Sequence, residues 1–208
     1  ALLIARPFNI IPDSFFFTLL CAIISLTGVA IRAMTVGYLP RKTEDEVTSG
    51  VKSTELITQG MYSIVRHPIA LGNLLAWYGI ILYVGVSWFI IGAILLYTLF
   101  TYQILLCEEE ELAKRFGDRY SLWASYTNAL IPNRKLWIRS RDKFSLMQVL
   151  RREYIGFFFL VLTFVTINLL RNRVIEFTWS LSPLWTVVGG ATLLFTIFIR
   201  LIIKLINK

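Results

Sequence analysis

The chain has 208 residues, 56% of them hydrophobic, with a mean hydropathy of +0.66 and a formal net charge of +8. That balance excludes an ordinary soluble domain. It does not make a nucleic-acid-binding module either, because the basic residues flank apolar runs and form no domain of their own. The apolar residues gather into helix-length runs, so the expected solvent is a bilayer. Cys21 and Cys107 lie in or beside those runs, and no disulfide is expected.

Residues 1–13 are a short apolar piece broken by Pro7 and Pro12, too short to span alone. Ala1-Leu2-Leu3-Ile4-Ala5, with no initiator Met, reads as the tail of something truncated or processed. Residues 15–33 are the first predicted span, where Gly28 offers a close helix contact. A polar loop over 32–66 follows, including Arg41-Lys42-Thr43-Glu44-Asp45-Glu46 and Ser49-Gly50. Residues 68–83 and 87–107 are the second and third spans; only Val84-Gly85-Val86 joins them, which dictates an antiparallel hairpin. Trp77, Tyr78, Tyr83 and Trp88 are assigned to the far membrane interface. Residues 108–153 are polar and basic, with an amphipathic helix first and a Pro132-Asn133 turn later. Residues 154–170 and 183–203 are the fourth and fifth spans, the last with Gly189-Gly190 as a second close-packing point.

Charge bias tests this arrangement independently. Five spans put the loops 32–66 and 108–153 on one side with the C-terminal tail, together with 18 of the 21 basic residues. Arg6, Arg171 and Arg173 remain on the other side. The excess assigns both loops to the cytoplasm.

Two stretches stand out within those loops. Leu56 to Pro68 is a polar, turn-forming hinge directly before an apolar helix, and it contains His67, the single histidine of the chain. Gly60 permits a turn that a side chain would forbid, and Pro68 suits the first turn of a helix. Arg66 and His67 then lie where an ionisable group can face both water and bilayer. A basic anchor plus a helix start explains these residues as well as a functional site does. The second stretch is Glu108-Glu109-Glu110-Glu111. Read as one helix over residues 107–123, Leu112, Ala113, Phe116, Tyr120 and Trp123 fall within about 60° of Glu109. Glu110 and Glu111 have i,i+4 partners in Lys114 and Arg115, and acids at a helix start complement the dipole. Neither explains an inward-facing Glu109, which needs a cation or several donors: Arg66, a charged ligand, or both.

Gly60-Met61-Tyr62-Ser63-Ile64-Val65-Arg66-His67-Pro68 with Gly72, followed by Glu108-Glu109, Leu112, Phe116-Gly117 and Tyr120, resembles the isoprenylcysteine carboxyl methyltransferase and phospholipid methyltransferase superfamily. The similarity covers residues 30–132. It implies an integral-membrane enzyme using S-adenosylmethionine, with Leu56, Ile57, Gly60, Tyr62, Arg66, His67, Glu108, Glu109 and Tyr120 around the cofactor. His67 and Glu109 are its candidate catalytic residues, and no metal is implied. The chain departs from the pattern at Ala70, where members commonly have Tyr. It also has Gln103-Ile104 and Tyr126 where carboxyl-methylating members carry Arg, and Trp123 where they have a second Tyr. Arg is the natural clamp for a carboxylate, so its loss points away from a prenylcysteine acceptor.

The resulting expectation is an all-α, polytopic membrane helix bundle of about five spans. It forms one domain over 1–208, with a methyltransferase-like core at 30–132 and two additional spans within 154–208. A cytosolic cofactor pocket is expected from loops and a short amphipathic helix. The acceptor would enter from the bilayer: a phospholipid amine, a lipid phosphate or an isoprenoid-linked carboxylate. A homodimer is compatible with this reading, and nucleic acid is not a partner. The alternatives are an NADPH-dependent membrane reductase resembling the sterol reductases, and a non-catalytic scaffold or transporter.

Overall fold

The computed structural model describes residues 14–39, 55–175, 177 and 179–206. The predicted piece at 1–13 and the loop residues Arg41 to Glu46, Ser49 and Gly50 lie outside them. The described chain is helical: α1 (Phe15–Gly37), a one-turn α2 (Met61–Ile64), α3 (Pro68–Val84), α4 (Ser87–Phe116), α5 (Asp118–Tyr126), a 3-10 turn (Arg134–Leu136), α6 (Leu146–Ile175) and α7 (Pro183–Ile206). Helices α1, α4, α6 and α7 are long and apolar enough to cross a membrane, and α3 is a shorter apolar helix of 17 residues. The protein is a polytopic helical membrane protein.

The helices run beyond the predicted spans. The first helix continues to Gly37, and the fourth predicted span occupies only the middle of α6. At 30 residues, α4 is about 45 Å long against a hydrocarbon thickness of ~30 Å, so its last turns project from the apolar layer. Those turns stay helical as the composition becomes polar, and the expected Glu110–Lys114 pair closes at 2.6 Å. The helix stops at Gly117, whose φ of 53° turns the chain into α5. A single wheel over 107–123 therefore does not describe the molecule: two helices meet at that glycine.

Small residues bring α1 and α3 together, with Gly28 against the backbone of Gly72 and Ala76, and the Ser25 hydroxyl donating to the Ala76 carbonyl at 2.8 Å. Gly189 meets Val165, but Gly190 faces open space and is not a packing point. Outward faces carry Ile91, Leu95, Leu96 and Leu99, all exposed, as a surface solvated by acyl chains requires.

Tyr83, assigned from sequence to the far interface, faces neighbouring helices rather than the surroundings. It is fully buried among Cys21, Ile80, Phe164 and Trp185. Its hydroxyl accepts from Trp185 Nε1 at 2.8 Å and from Asn168 Nδ2 at 3.2 Å. Arg171, read from sequence as a topological charge, is also buried, and it donates to the Tyr83 carbonyl at 2.7 Å. Aromatic and basic residues at a span's end look alike whether they face lipid or a neighbouring helix; packing decided here. Tyr83→Phe should cost about 1–2 kcal/mol by leaving two buried donors unmatched, read as a lower thermal midpoint in detergent.

Candidate active site

The hinge before α3 is held by a second segment as well as by its own turns. Gly60, with φ of 62°, donates its N–H to Ile138 O at 2.9 Å. The Ser63 hydroxyl donates to Gly60 O and accepts from Ile138 N, while Asn133 N donates to Ile64 O. Arg66 N and His67 N donate to the carbonyls of Asn128 and Ala129 at 2.8 and 3.1 Å. His67 is the N-cap of α3 and Pro68 opens its first turn, as expected. Residues 128–138 thus fasten the hinge, and the second polar stretch meets it directly through side chains.

Their side chains meet in a compact ionic cluster. Glu109 Oε1 lies 2.8 Å from Arg66 Nη2, 3.0 Å from Arg66 Nε and 3.0 Å from His67 Nε2. Arg66 Nη1 donates onward to the carbonyls of Ala124 and Thr127, which fastens the end of α5 to the same point. Glu108 Oε2 lies 3.5 Å from His67 Nδ1, so the imidazole stands between two carboxylates. Glu109 is half-buried, whereas Glu108 is exposed. Arg66 is therefore the cation that an inward Glu109 required.

Beside this cluster is a cavity of about 610 Å³, within the ~300–1,000 Å³ of small-molecule sites. Leu56, Ile57, Tyr62, Arg66, His67 and Glu108 line it, whereas Gly60, Glu109 and Tyr120 are not among its lining residues. Much of the wall is α3 and α4, including Ala70, Asn73, Tyr97, Phe100 and Ile104, with Trp123 from α5. The hinge and the polar stretch over 107–123 supply the larger part of the wall, and the apolar turns of α3 and α4 supply the rest. Three departures from the motif pattern, Ala70, Ile104 and Trp123, fall on this wall. Withdrawal from water, reinforced by Glu108 and partly offset by Arg152, pushes the Tyr62 phenol up to about 12, so it remains a donor at any physiological pH. Withdrawal from water and then Glu109 raise Tyr120, against a lowering by Arg66. Trp123 Nε1 and the Tyr120 hydroxyl are buried without a hydrogen-bond partner among the described residues.

One polar cluster escaped the sequence reading. Arg32 of α1 forms a bidentate pair with Glu153 of α6, Nε to Oε2 and Nη2 to Oε1, both at 2.8 Å. Its Nη1 donates to Asn73 Oδ1 of α3. A Cβ at position 72 would come within 2.6 Å of Arg32 Cγ, so Gly72 leaves the room in which Arg32 crosses α3. An Asn within an apolar helix and a lone acid among basic residues were the available signals.

A family profile described as phospholipid methyltransferase matches residues 16–119, half of the chain. No curated protein and no solved structure matches it.

Proposed function

The chain belongs to the phospholipid methyltransferase family, and from that premise we propose that it methylates a membrane lipid with S-adenosylmethionine as donor, on the cytoplasmic face. The observation that carries this reading is a cavity of about 610 Å³ lined by Arg66 and His67, both of which Glu109 holds through one oxygen. The residues present fit the donor. Carboxylates and guanidinium groups of both signs, aromatic rings and the unmatched Trp123 N–H suit a ligand bearing a cation, a carboxylate and a nucleoside. Leu56, Ile57, Tyr62, Arg66 and Glu108 would hold it from the wall, with Glu109 fixing Arg66. When bound, the donor supplies an electrophilic methyl group on sulfur.

Transfer of that methyl is an in-line displacement, so the protein's share is positioning and exclusion of water. Glu109 holds Arg66 and His67 in place through one oxygen. In neutral imidazole, Nε2–H donates to Glu109 and Nδ1 keeps its lone pair. Nδ1 is then the atom that takes a proton from an ammonium acceptor, and the exposed Glu108 beside it passes the proton to solvent. The acceptor's chains stay in the bilayer against α3 and α4 while its head enters the cavity. Absence of Arg at positions 103, 104 and 126 favours a phospholipid amine over an isoprenoid carboxylate.

The test is incubation of the purified protein with radiolabelled S-adenosylmethionine and a total lipid extract, followed by chromatography of the product. A labelled phospholipid is expected, with calorimetric binding of S-adenosylmethionine and none of NADPH. Binding of NADPH alone, or of neither, would overturn the reading.

A further inference from the structure

The geometry points to Asn73 as the residue that receives the phosphate of the acceptor lipid at the inner end of the cavity, with Arg32 and Glu153 as its positioning residues. This rests on the methyltransferase reading for the lipid's purpose but not for its binding. Asn73 and His67 line the same cavity on the same helix, six residues or about 9 Å apart along it. The cavity therefore extends from the ionic cluster down into the apolar layer.

The orientation of the Asn73 amide is dictated by chemistry. A guanidinium has only donors, so the atom facing Arg32 Nη1 must be the carbonyl oxygen. The amide nitrogen, with two N–H groups, is left without a partner among the described residues, on a side chain that lines the cavity. Arg32 is meanwhile bound through Nε and Nη2 to both oxygens of Glu153, which fixes its plane and neutralises its charge. The result is a fixed pair of neutral donors in a setting of low dielectric, suited to a phosphodiester oxygen.

The order of groups in an aminophospholipid matches the order of groups along the cavity. The amine is outermost and would meet His67 Nδ1 and Glu108; the phosphate follows, at the level of Asn73, with its chains continuing into the bilayer. Glu153 lies outside the matched region of 16–119, so the C-terminal helices supply part of this device rather than merely bracing the bundle.

Asn73→Asp separates donor from acceptor: an oxygen remains for Arg32, but both N–H groups become a carboxylate oxygen. The full chain in detergent would be titrated with dioleoylphosphatidylethanolamine and with dioleoylglycerol, which has the same chains and no phosphate, and lipid retention read by native mass spectrometry. The wild type should prefer the phospholipid by about ten-fold or more, and Asn73→Asp and Asn73→Ala should both reduce that preference to about two-fold or less. Affinity for S-adenosylmethionine, measured by calorimetry, should stay within about two-fold of wild type in both variants. An unchanged lipid preference in the two variants would overturn the assignment. So would weakened S-adenosylmethionine binding with lipid preference intact, which would give Asn73 to the methyl donor. If the wild type bound no S-adenosylmethionine yet showed the Asn73-dependent preference, the phosphate subsite would stand and the methyltransferase reading would fall.

Discussion

Glu109→Gln is expected to lower methyl transfer by about 100-fold or more, corresponding to ~2.7 kcal/mol of transition-state stabilisation, while the protein still inserts into membranes. The size follows from how much converges on one atom. Oε1 accepts from two nitrogens of Arg66 and from His67 Nε2, and a neutral amide oxygen would replace three charge-assisted contacts with weaker ones. Rotated the other way, the amide would set its own N–H groups against those donors. His67 would lose the partner that selects its tautomer, and Arg66, whose side chain is only 15% exposed, would lose its counter-charge. His67→Ala should produce a loss of the same order by removing the proton acceptor itself. Glu110→Gln is the control: its contact with Lys114 is solvent-exposed, and the rate should stay within about two-fold. Radiolabel transfer by the three variants at equal membrane content decides the matter. Full activity in Glu109→Gln would remove the cluster from the mechanism.

The part of this arrangement that sequence reveals is the part written in local pattern. Runs of about twenty apolar residues define spans because the bilayer imposes a length, and Pro68 marks the start of α3 because its ring fits only there. The inward turn of Glu109 was legible for a similar reason, since Leu112, Ala113 and Phe116 follow it on the same helix; Tyr120 and Trp123 reach that region only after the chain turns at Gly117. Arg66 was one of the partners open to Glu109, alone or with a charged ligand, and the structure pairs the two. What could not be read was contact between distant helices. Arg32, Asn73 and Glu153 come from three helices, and each alone passes for a flanking charge or a polar interruption. Tyr83 and Arg171 carried the composition of an interface and took up core positions, Tyr83 with Trp185 and Asn168 as partners and Arg171 with the Tyr83 carbonyl.

Gly28→Ala should be the most damaging single-methyl change among the described residues of the bundle, and the reason is that nothing nearby can yield. A Cβ there would stand 2.3 Å from the Gly72 carbonyl oxygen and 2.6 Å from the Ala76 nitrogen, both backbone atoms of α3. Side chains can change rotamer, whereas two helices can relieve such contacts only by moving apart. Separation would also stretch the Ser25 bond to the Ala76 carbonyl and loosen the contact at Gly79, where a Cβ would already meet Ser25 Oγ at 2.2 Å and Cys21 O at 2.4 Å. Overpacking of this kind costs about 1–3 kcal/mol where a core can adjust and more where it cannot, so about 3 kcal/mol or more is expected at Gly28. Gly92→Ala and Gly190→Ala form the comparison, because both added methyl groups point into open space and should be neutral or stabilising by up to ~1 kcal/mol through helix propensity. Thermal midpoints of the three variants in one detergent would test the contrast, and a Gly28→Ala midpoint equal to that of Gly92→Ala would contradict the packing described. The consequence extends past stability. Because α3 carries His67 at its start and Asn73 on the cavity wall, and Arg32 reaches across it from α1, any shift of α3 against α1 displaces both ends of the cavity at once. Surviving Gly28→Ala protein should therefore lose phospholipid preference and methyl transfer together, whereas Asn73→Asp removes the first without weakening S-adenosylmethionine binding.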